Sequence, residues 1–123
     1  MKTVLLAATA TFFIPAFARA DDEVMRVYFG NTLIVKGGMV DTYTHFHPDH
    51  TFDASATLLG ARVTRKGTWK VDEKGQLCRW IEKPPAGAPN PLCFALPAHK
   101  PGDTWTMTVN GATRTLTLKA GDH

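Results

Sequence analysis

The chain has 123 residues, which is enough for one domain with a modest hydrophobic core. Its 14 basic and 11 acidic residues give a formal net charge of +3, and the basic residues form no run or clustered face of the kind that nucleic-acid binders present. Length and charge therefore predict a single domain without a nucleic-acid partner.

The first 20 residues have the features of a cleavable signal peptide. Lys2 supplies a charged start, the run from Val4 to Ala18 is apolar, and Ala18-Arg19-Ala20 matches the A-x-A cleavage pattern. A membrane span is the competing interpretation, but Pro15 interrupts the run, which is shorter than the roughly 20 apolar residues that a bilayer requires. We therefore expect a signal peptide at 1–20, an exported (periplasmic or secreted) domain at 21–123, and no membrane span after cleavage.

The beginning of the exported part predicts a short helix. Acidic residues at 21–23 suit a first helical turn, apolar residues follow within 24–28, and Gly30 provides a stop. We expect this helix to plug one end of the domain.

From Thr32 onward the hydrophobic pattern has a period of two, and turn signals recur at short intervals. Strands are predicted at about 32–36, 39–47, 51–59, 62–71, 76–82, 92–97, 104–109 and 112–118. Such spacing is typical of an all-β sandwich or barrel. Eight short strands joined by hairpins most simply form a single antiparallel up-and-down β-barrel.

The run T-H-F-H-P-D-H at 44–50 resembles the His-x-His-x-Asp-His motif with which metallo-β-lactamase-fold hydrolases hold zinc. The resemblance implies a zinc site at His45, His47 and His50. That fold normally supplies further ligands over a longer chain, whereas here only His99 and His123 remain. In that family the motif also leads into a helix, whereas the residues after 50 alternate as a strand. We therefore interpret the match as coincidental and predict no bound metal.

The same run is well suited to a hairpin. Residues 47–50 fit a type I turn with proline at its second position, followed by a left-handed residue at position 50. In that register Phe46 faces Phe52 on the core face. His45 faces Asp53 on the other face, which we expect to be exposed to solvent.

Cys78 and Cys93 are the two cysteines of a chain that we expect to be exported. An oxidising compartment favours a disulfide between them. For a loop of about 15 residues, the chain-entropy model gives about 3 kcal/mol of stabilisation.

Several short motifs resemble those of small bacterial secreted proteins of uncharacterised function. They are Gly30-Asn31-Thr32, the turn at 48–51, Gly67-Thr68-Trp69, the two cysteines each preceded by leucine, and the glycine-containing end at 118–121. In these proteins the turn carries glycine where this chain has His50. The resemblance implies a lipocalin-like (calycin-like) barrel and assigns no catalytic residue.

Alternate positions on the later strands combine arginines with apolar residues. Arg65 shares a face with Trp69, and Arg114 lies on the strand after Trp105 and Met107. An inward guanidinium requires a carboxylate, a phosphate or water. We predict a ligand site in which Arg65 and Arg114 hold an anionic head group while Trp69, Trp105 and Met107 cover an apolar body.

The arginines have a second interpretation. Arg65 and Arg114 lie near strand ends, where they could reach solvent past an apolar stem. Gly67 would reverse the facing of Arg65 if it marked a bulge. Arg79 falls in register with apolar neighbours in the same way, and the tryptophans are equally suited to a core.

Three functions follow from these features. The leading hypothesis is a non-enzymatic exported barrel that binds a small molecule or a secreted protein partner. The alternatives are an inhibitor of a secreted hydrolase, with the loop from Lys83 to Asn90 as its plug, and a zinc-dependent hydrolase using the histidine run. No Ser-His-Asp grouping is assembled by spacing, so the sequence assigns no catalytic residue and predicts no cofactor.

Overall fold

The computed structural model describes residues 23–95 and 99–123. The predicted signal peptide and the end of the sixth predicted strand, 96–97, lie outside these residues. Within them, a helical turn at 23–25 continues into a 3-10 turn at Arg26–Tyr28, and eight strands follow. The all-β class, the eight strands and a very short N-terminal helix are therefore confirmed.

The strands form one antiparallel sheet that is curled into a nearly closed barrel. They are β1 (Thr32–Lys36), β2 (Thr42–Phe46), β3 (Thr51–Leu58), β4 (Ala61–Val71), β5 (Gln76–Ile81), β6 (Leu92–Ala95), β7 (Thr104–Val109) and β8 (Ala112–Lys119). Their order is β6-β5-β4-β3-β2-β1-β8-β7, so the first strand pairs with the last. In the described residues β6 and β7 are the two edges of the sheet.

The barrel has two distinct ends because successive strands are antiparallel. We call the upper end the one that carries the β1–β2, β3–β4, β5–β6 and β7–β8 connections. The lower end carries the β2–β3 and β4–β5 connections and the N-terminal turn. No helix in the described ranges is long and apolar enough to cross a bilayer.

The second strand is shorter than predicted, since it begins at Thr42 and not at 39. Residues 37–41 form an irregular connection at the upper end, where Met39 is 99% exposed. Gly37 has a φ of 108°, and a Cβ there would lie 3.2 Å from the carbonyl oxygen of Thr113. Left-handed backbone and close approach at this glycine end the regular pairing early.

The β2–β3 hairpin has the predicted register. Phe46 pairs with Phe52 and His45 with Asp53. His50 adopts a φ of 69°, the left-handed conformation expected at the end of this turn. The amide of Thr51 also donates to the carboxylate of Asp49 at 3.1 Å, which stabilises the turn locally.

The hydrophobic core fills the lower end. Met25 and Tyr28 of the N-terminal segment are buried there together with Phe46, Phe52 and Trp69. The Tyr28 and Phe46 rings meet edge to face with centroids 6.0 Å apart. The short helix therefore plugs this end, as its amphipathic pattern predicted.

Gly67 does not form a bulge. It pairs with Phe52 on β3 and with Ile81 on β5 in continuous ladders, so the inward parity of Arg65 and Trp69 is preserved. A Cβ at Gly67 would overlap the carbonyl oxygen of Trp80 and lie 2.8 Å from Cε1 of Phe52. The glycine instead permits close contact between β4 and the β5 backbone.

Cys78 and Cys93 occupy directly opposed positions on β5 and β6. Their sulfur atoms lie at bonding distance, so the pair is compatible with the predicted disulfide. The link would tie the edge strand β6 to the rest of the sheet.

We expect reduction of this disulfide to lower the free energy of unfolding by about 3 kcal/mol. The melting temperature should then fall by roughly 10 °C or more, and the intact mass should rise by two hydrogens. Thermal scans with and without reductant measure the effect. A Cys78→Ala/Cys93→Ala control should not respond to reductant, and two free thiols in freshly isolated protein would contradict the prediction.

Candidate functional site

A cavity of about 380 Å³ lies inside the barrel between the core and the upper end. Its walls come from the inward positions of β1, β2 and β5 to β8 and from residues 38–40 of the β1–β2 connection. The lining residues are Leu33, Val35, Gly38, Met39, Val40, Thr42, Thr44, Phe46, Arg79, Leu92, Phe94, Met107, Val109, Ala112, Arg114 and Leu116. Its size falls at the lower end of the range for ligand pockets in proteins.

The wall is predominantly aliphatic and aromatic, because it consists of the alternate residues that the strands turn inward. Its polar side chains are those of Thr42, Thr44, Arg79 and Arg114, and no carboxylate belongs to it. An apolar chamber with a few convergent polar groups is the usual form of a small-molecule site.

Arg79 is the most unusual of these residues. It lies on β5 between Trp69 of β4 and Leu92 of β6, and its guanidinium lies over the Phe52 ring, 5.6 Å from the centroid. Its Nε is buried without a hydrogen-bond partner in the described part of the chain. Burial lowers the pKa of Arg79, but a guanidinium keeps its charge in proteins. Arg79 as a whole is half-buried, so the chamber wall contains a cation whose Nε is buried and unpaired and beside which no carboxylate lies.

Arg114 brings a second guanidinium to the cavity from β8, where it pairs with Met107 of β7. It is half-buried, and its Nη1 donates to the carbonyl oxygen of Thr113 at 3.0 Å. The β1–β2 connection packs against this side chain, since a Cβ on Gly38 would lie 3.5 Å from the Nε of Arg114. The glycine thus leaves room for the guanidinium beneath the connection.

The structure brings only two of the five predicted ligand residues to the cavity. Arg114 and Met107 line it, whereas Arg65, Trp69 and Trp105 lie elsewhere. Trp69 is in the core, where its indole donates to the carbonyl oxygen of His47 at 3.0 Å. Trp105 stacks on His99 at 3.6 Å, and Arg65 is exposed, with Nη1 donating to the Lys83 carbonyl at 3.3 Å. A binding role for all five stays a prediction.

Arg79 was not assigned to the predicted site, although its inward parity was visible. The sequence feature that could have identified Arg79 is its position between Leu77 and Ile81, two apolar residues on the same face of the strand. Neither residue offers a counterion, and the opposing strand positions are occupied by Trp69 and Leu92.

The histidine run forms a separate polar cluster on the outer face. His45 Nδ1 and His47 Nε2 each lie 2.9 Å from a carboxylate oxygen of Asp53. His45 Nε2 lies 3.0 Å from Asp122 and 3.2 Å from the His123 carbonyl oxygen. The expectation of a freely exposed face is therefore wrong for His45, because the C-terminal residues cover it and leave its side chain only 14% exposed.

These contacts do not assemble a metal site. His50, the third residue of the zinc alternative, stacks on Trp69 with ring centroids 4.1 Å apart. The two ranges that the structure describes contain no group of three or more His, Cys, Asp or Glu residues able to hold a metal ion. The hydrolase alternative has no geometry to support it in these ranges.

The pKa of Asp53 reflects its position in this cluster. Burial raises it, but the hydrogen bonds and charges of His45 and His47 together outweigh burial, so the pKa lies below its ordinary value. A carboxyl whose pKa is depressed on folding stabilises the fold above its unfolded pKa and loses that contribution as the pH falls through the folded pKa. Through the contacts of His45 with Asp122 and the His123 carbonyl, the cluster also holds the C-terminal residues against the barrel.

The loop from Lys83 to Asn90, named above as an inhibitor plug, is exposed and anchored at its far end. Asn90 accepts from the amide of Ile81 at 2.8 Å and donates to its carbonyl at 3.4 Å. Its use as an inhibitor loop stays a prediction.

A family model described as a protein of unknown function (DUF995) matches residues 3–111, which is most of the chain. No curated protein and no solved structure gives a significant match.

Proposed function

The chain belongs to the DUF995 family of proteins of unknown function, and we propose that it is a non-enzymatic binding protein for a small apolar ligand with an anionic head group. The observation that carries the proposal is Arg79, a half-buried arginine with a buried, unpaired Nε that lines an apolar cavity without a carboxylate in its wall. The predicted signal peptide and the paired cysteines favour an exported location for this activity.

The energetics of a buried charge favour a ligand that completes the site. An uncompensated buried ion is strongly destabilising, and it is maintained only where a partner or a function compensates. The ring of Phe52 beneath Arg79 supplies a cation–π contact worth about 0.5–2 kcal/mol. That contact leaves the N–H donors of the guanidinium available to a carboxylate, sulfate or phosphate oxygen.

The remainder of the wall suits an apolar body. Leu33, Val35 and Leu116 line one side of the cavity, and Leu92 and Phe94 line another. Burial of apolar surface is worth roughly 25 cal/mol per Å². A fatty-acid-like amphiphile therefore matches the chamber better than an inorganic anion, which would leave the apolar wall unfilled.

The test compares two probes with the same tail. We expect the protein to bind dodecanoate more tightly than dodecanol, as measured by displacement of a fluorescent naphthalene sulfonate. Arg79→Met should weaken dodecanoate binding roughly 10- to 100-fold, as expected for loss of a charged hydrogen-bond partner, and should leave dodecanol binding nearly unchanged. Arg114→Met should show a smaller change of the same kind.

Arg65→Met is the matched control, because it removes the same charge from an exposed site on β4. Without ligand, Arg79→Met should be as stable as the natural protein or more stable, since an apolar side chain of similar size replaces an unpaired buried charge. Equal binding of dodecanoate and dodecanol, or equal losses in Arg65→Met and Arg79→Met, would overturn the proposal.

A further inference from the structure

The β3–β4 hairpin extends beyond its neighbours at the upper end of the barrel. Pairing of β3 with β2 ends at Ser55, and pairing of β4 with β5 starts at Gly67. Between these points the strand ladder joins only β3 and β4 in the described residues, with Ala56 opposite Val63 and Leu58 opposite Ala61. At its base the hairpin also contacts the β5–β6 connection, where the Lys66 carbonyl accepts from the amide of Glu82 at 2.8 Å and Arg65 donates to the Lys83 carbonyl. We call residues 56–66 the hairpin arm.

The tip of the arm is apolar and exposed. Leu59 is 99% exposed, Leu58 is 47% exposed and Val63 is 39% exposed. Single exposed apolar residues are ordinary on protein surfaces, but here three of them share one hairpin tip. Met39, also fully exposed, belongs to the β1–β2 connection at the same end of the barrel and lines the cavity.

The charges of the arm have one sign. Arg62, Arg65 and Lys66 are all exposed, and the sequence contains no acidic residue between Asp53 and Asp72. Edge strands that are adapted against pairing often carry Lys or Pro, but such adaptation does not require leucines at the tip. An apolar tip that is flanked by cations is complementary to a partner with an apolar interior and an anionic outer layer.

We propose that the hairpin arm docks on an anionic lipid bilayer, with Leu58, Leu59 and Met39 entering the interfacial layer and the three cations contacting lipid head groups. Each Lys or Arg near an anionic leaflet contributes roughly a fivefold increase in affinity, and buried leucines add to it. Docking in this orientation brings the Met39 side of the cavity to the lipid surface. The inference goes beyond the proposed function and does not depend on it.

The test is sedimentation of the full chain with vesicles of phosphatidylglycerol and phosphatidylcholine, and with vesicles of phosphatidylcholine alone. We expect binding to the anionic vesicles that weakens with added salt. Arg62→Gln/Arg65→Gln/Lys66→Gln should weaken it roughly 100-fold, and Leu59→Ser/Met39→Ser should weaken it at any salt concentration.

The control is Lys70→Gln/Lys74→Gln/Lys119→Gln, which removes the same charge from exposed positions nearer the lower end. All variants carry the same N-terminus, so any lipid affinity of residues 1–22 is common to them.

The inference is overturned if anionic vesicles do not bind the protein, or if the arm and control variants lose affinity equally. It is also overturned if the arm variants abolish a dimer in solution, because the arm would then pair with a second copy. Dodecanoate displacement in the same variants reports the cavity separately.

Discussion

Replacing Phe46 with Ala is expected to lower the free energy of unfolding by about 3–5 kcal/mol. Phe46 is 2% exposed, and its ring lies 6.0 Å from those of Tyr28 and Phe52. It thus joins the N-terminal plug, the β2–β3 hairpin and the floor of the cavity. Truncation would remove contacts in all three, and the surrounding β-sheet can collapse only partly into the space.

Chemical denaturation monitored by tryptophan fluorescence measures this loss. Leu59→Ala is a suitable control, because that side chain is fully exposed and its truncation should change stability by no more than about 0.5 kcal/mol. Similar losses in both variants would show that Phe46 is not a core residue. A further outcome is specific to the site: Phe46→Ala should alter ligand affinity as well as stability, whereas Leu59→Ala should alter neither.

The register around Phe46 could be predicted from the sequence because its determinants are local. A proline and a residue tolerant of positive φ fix the turn at 47–50, and alternation then determines which side chains face Phe52. The same reasoning placed Arg79 and Arg114 on strand faces that line the cavity, whereas Arg65 shares a face with Trp69 but is exposed. Short-range rules therefore sufficed for the strands and their faces.

The cavity could not be located in this way, because parity specifies a face and not a height along the barrel. The height of a residue along the barrel axis depends on the stagger between strands. Because of this stagger, Ile81, the last residue of β5, lies beside Gly67 of β4 and in line with Phe52 of β3. Arg65 consequently lies on the projecting hairpin arm, and Arg79 lies beside the cavity. Stagger in a barrel is a property of the closed sheet, so no single strand encodes it.

The cover over His45 was missed for a related reason. Its contacts with Asp122 and His123 join residues far apart in the sequence. They follow from the pairing of β1 with β8, which carries the C-terminus past the plug, where Gly121 accepts from the Thr32 hydroxyl at 2.8 Å. A period-two pattern identifies an outer face but does not show what later packs on it.

The packed core and the cavity occupy different heights along the barrel axis. Aromatic residues and the N-terminal turn fill the lower end, whereas a cavity bordered by mainly aliphatic side chains and by the irregular 37–41 connection lies above. Arg79 lies at the boundary, with its guanidinium over the Phe52 ring and its side chain in the cavity wall. This division explains how an unpaired cation is tolerated, because the core below supplies the stability that its burial reduces.

Gly67→Ala is expected to be as damaging as a large core truncation, although it adds only one methyl group. The new Cβ would overlap the backbone oxygen of Trp80 and crowd the Phe52 ring, and the backbone of a paired strand cannot move aside as a flexible side chain can. Overpacking typically costs about 1–3 kcal/mol and occasionally more, and we expect about 3 kcal/mol or more here. Restricting the unfolded chain offsets less than about 1 kcal/mol of this.

Gly38→Ala is the matched control for that substitution. A Cβ at Gly38 would meet the Arg114 side chain no closer than 3.5 Å, an ordinary contact with a movable group. Its unfolding midpoint should therefore stay close to that of the natural protein, while that of Gly67→Ala falls sharply. If Gly67→Ala unfolds at the natural midpoint, β4 and β5 do not approach as closely as described. The stagger between β4 and β5, which places Arg79 beside the cavity, would then also have to be revised.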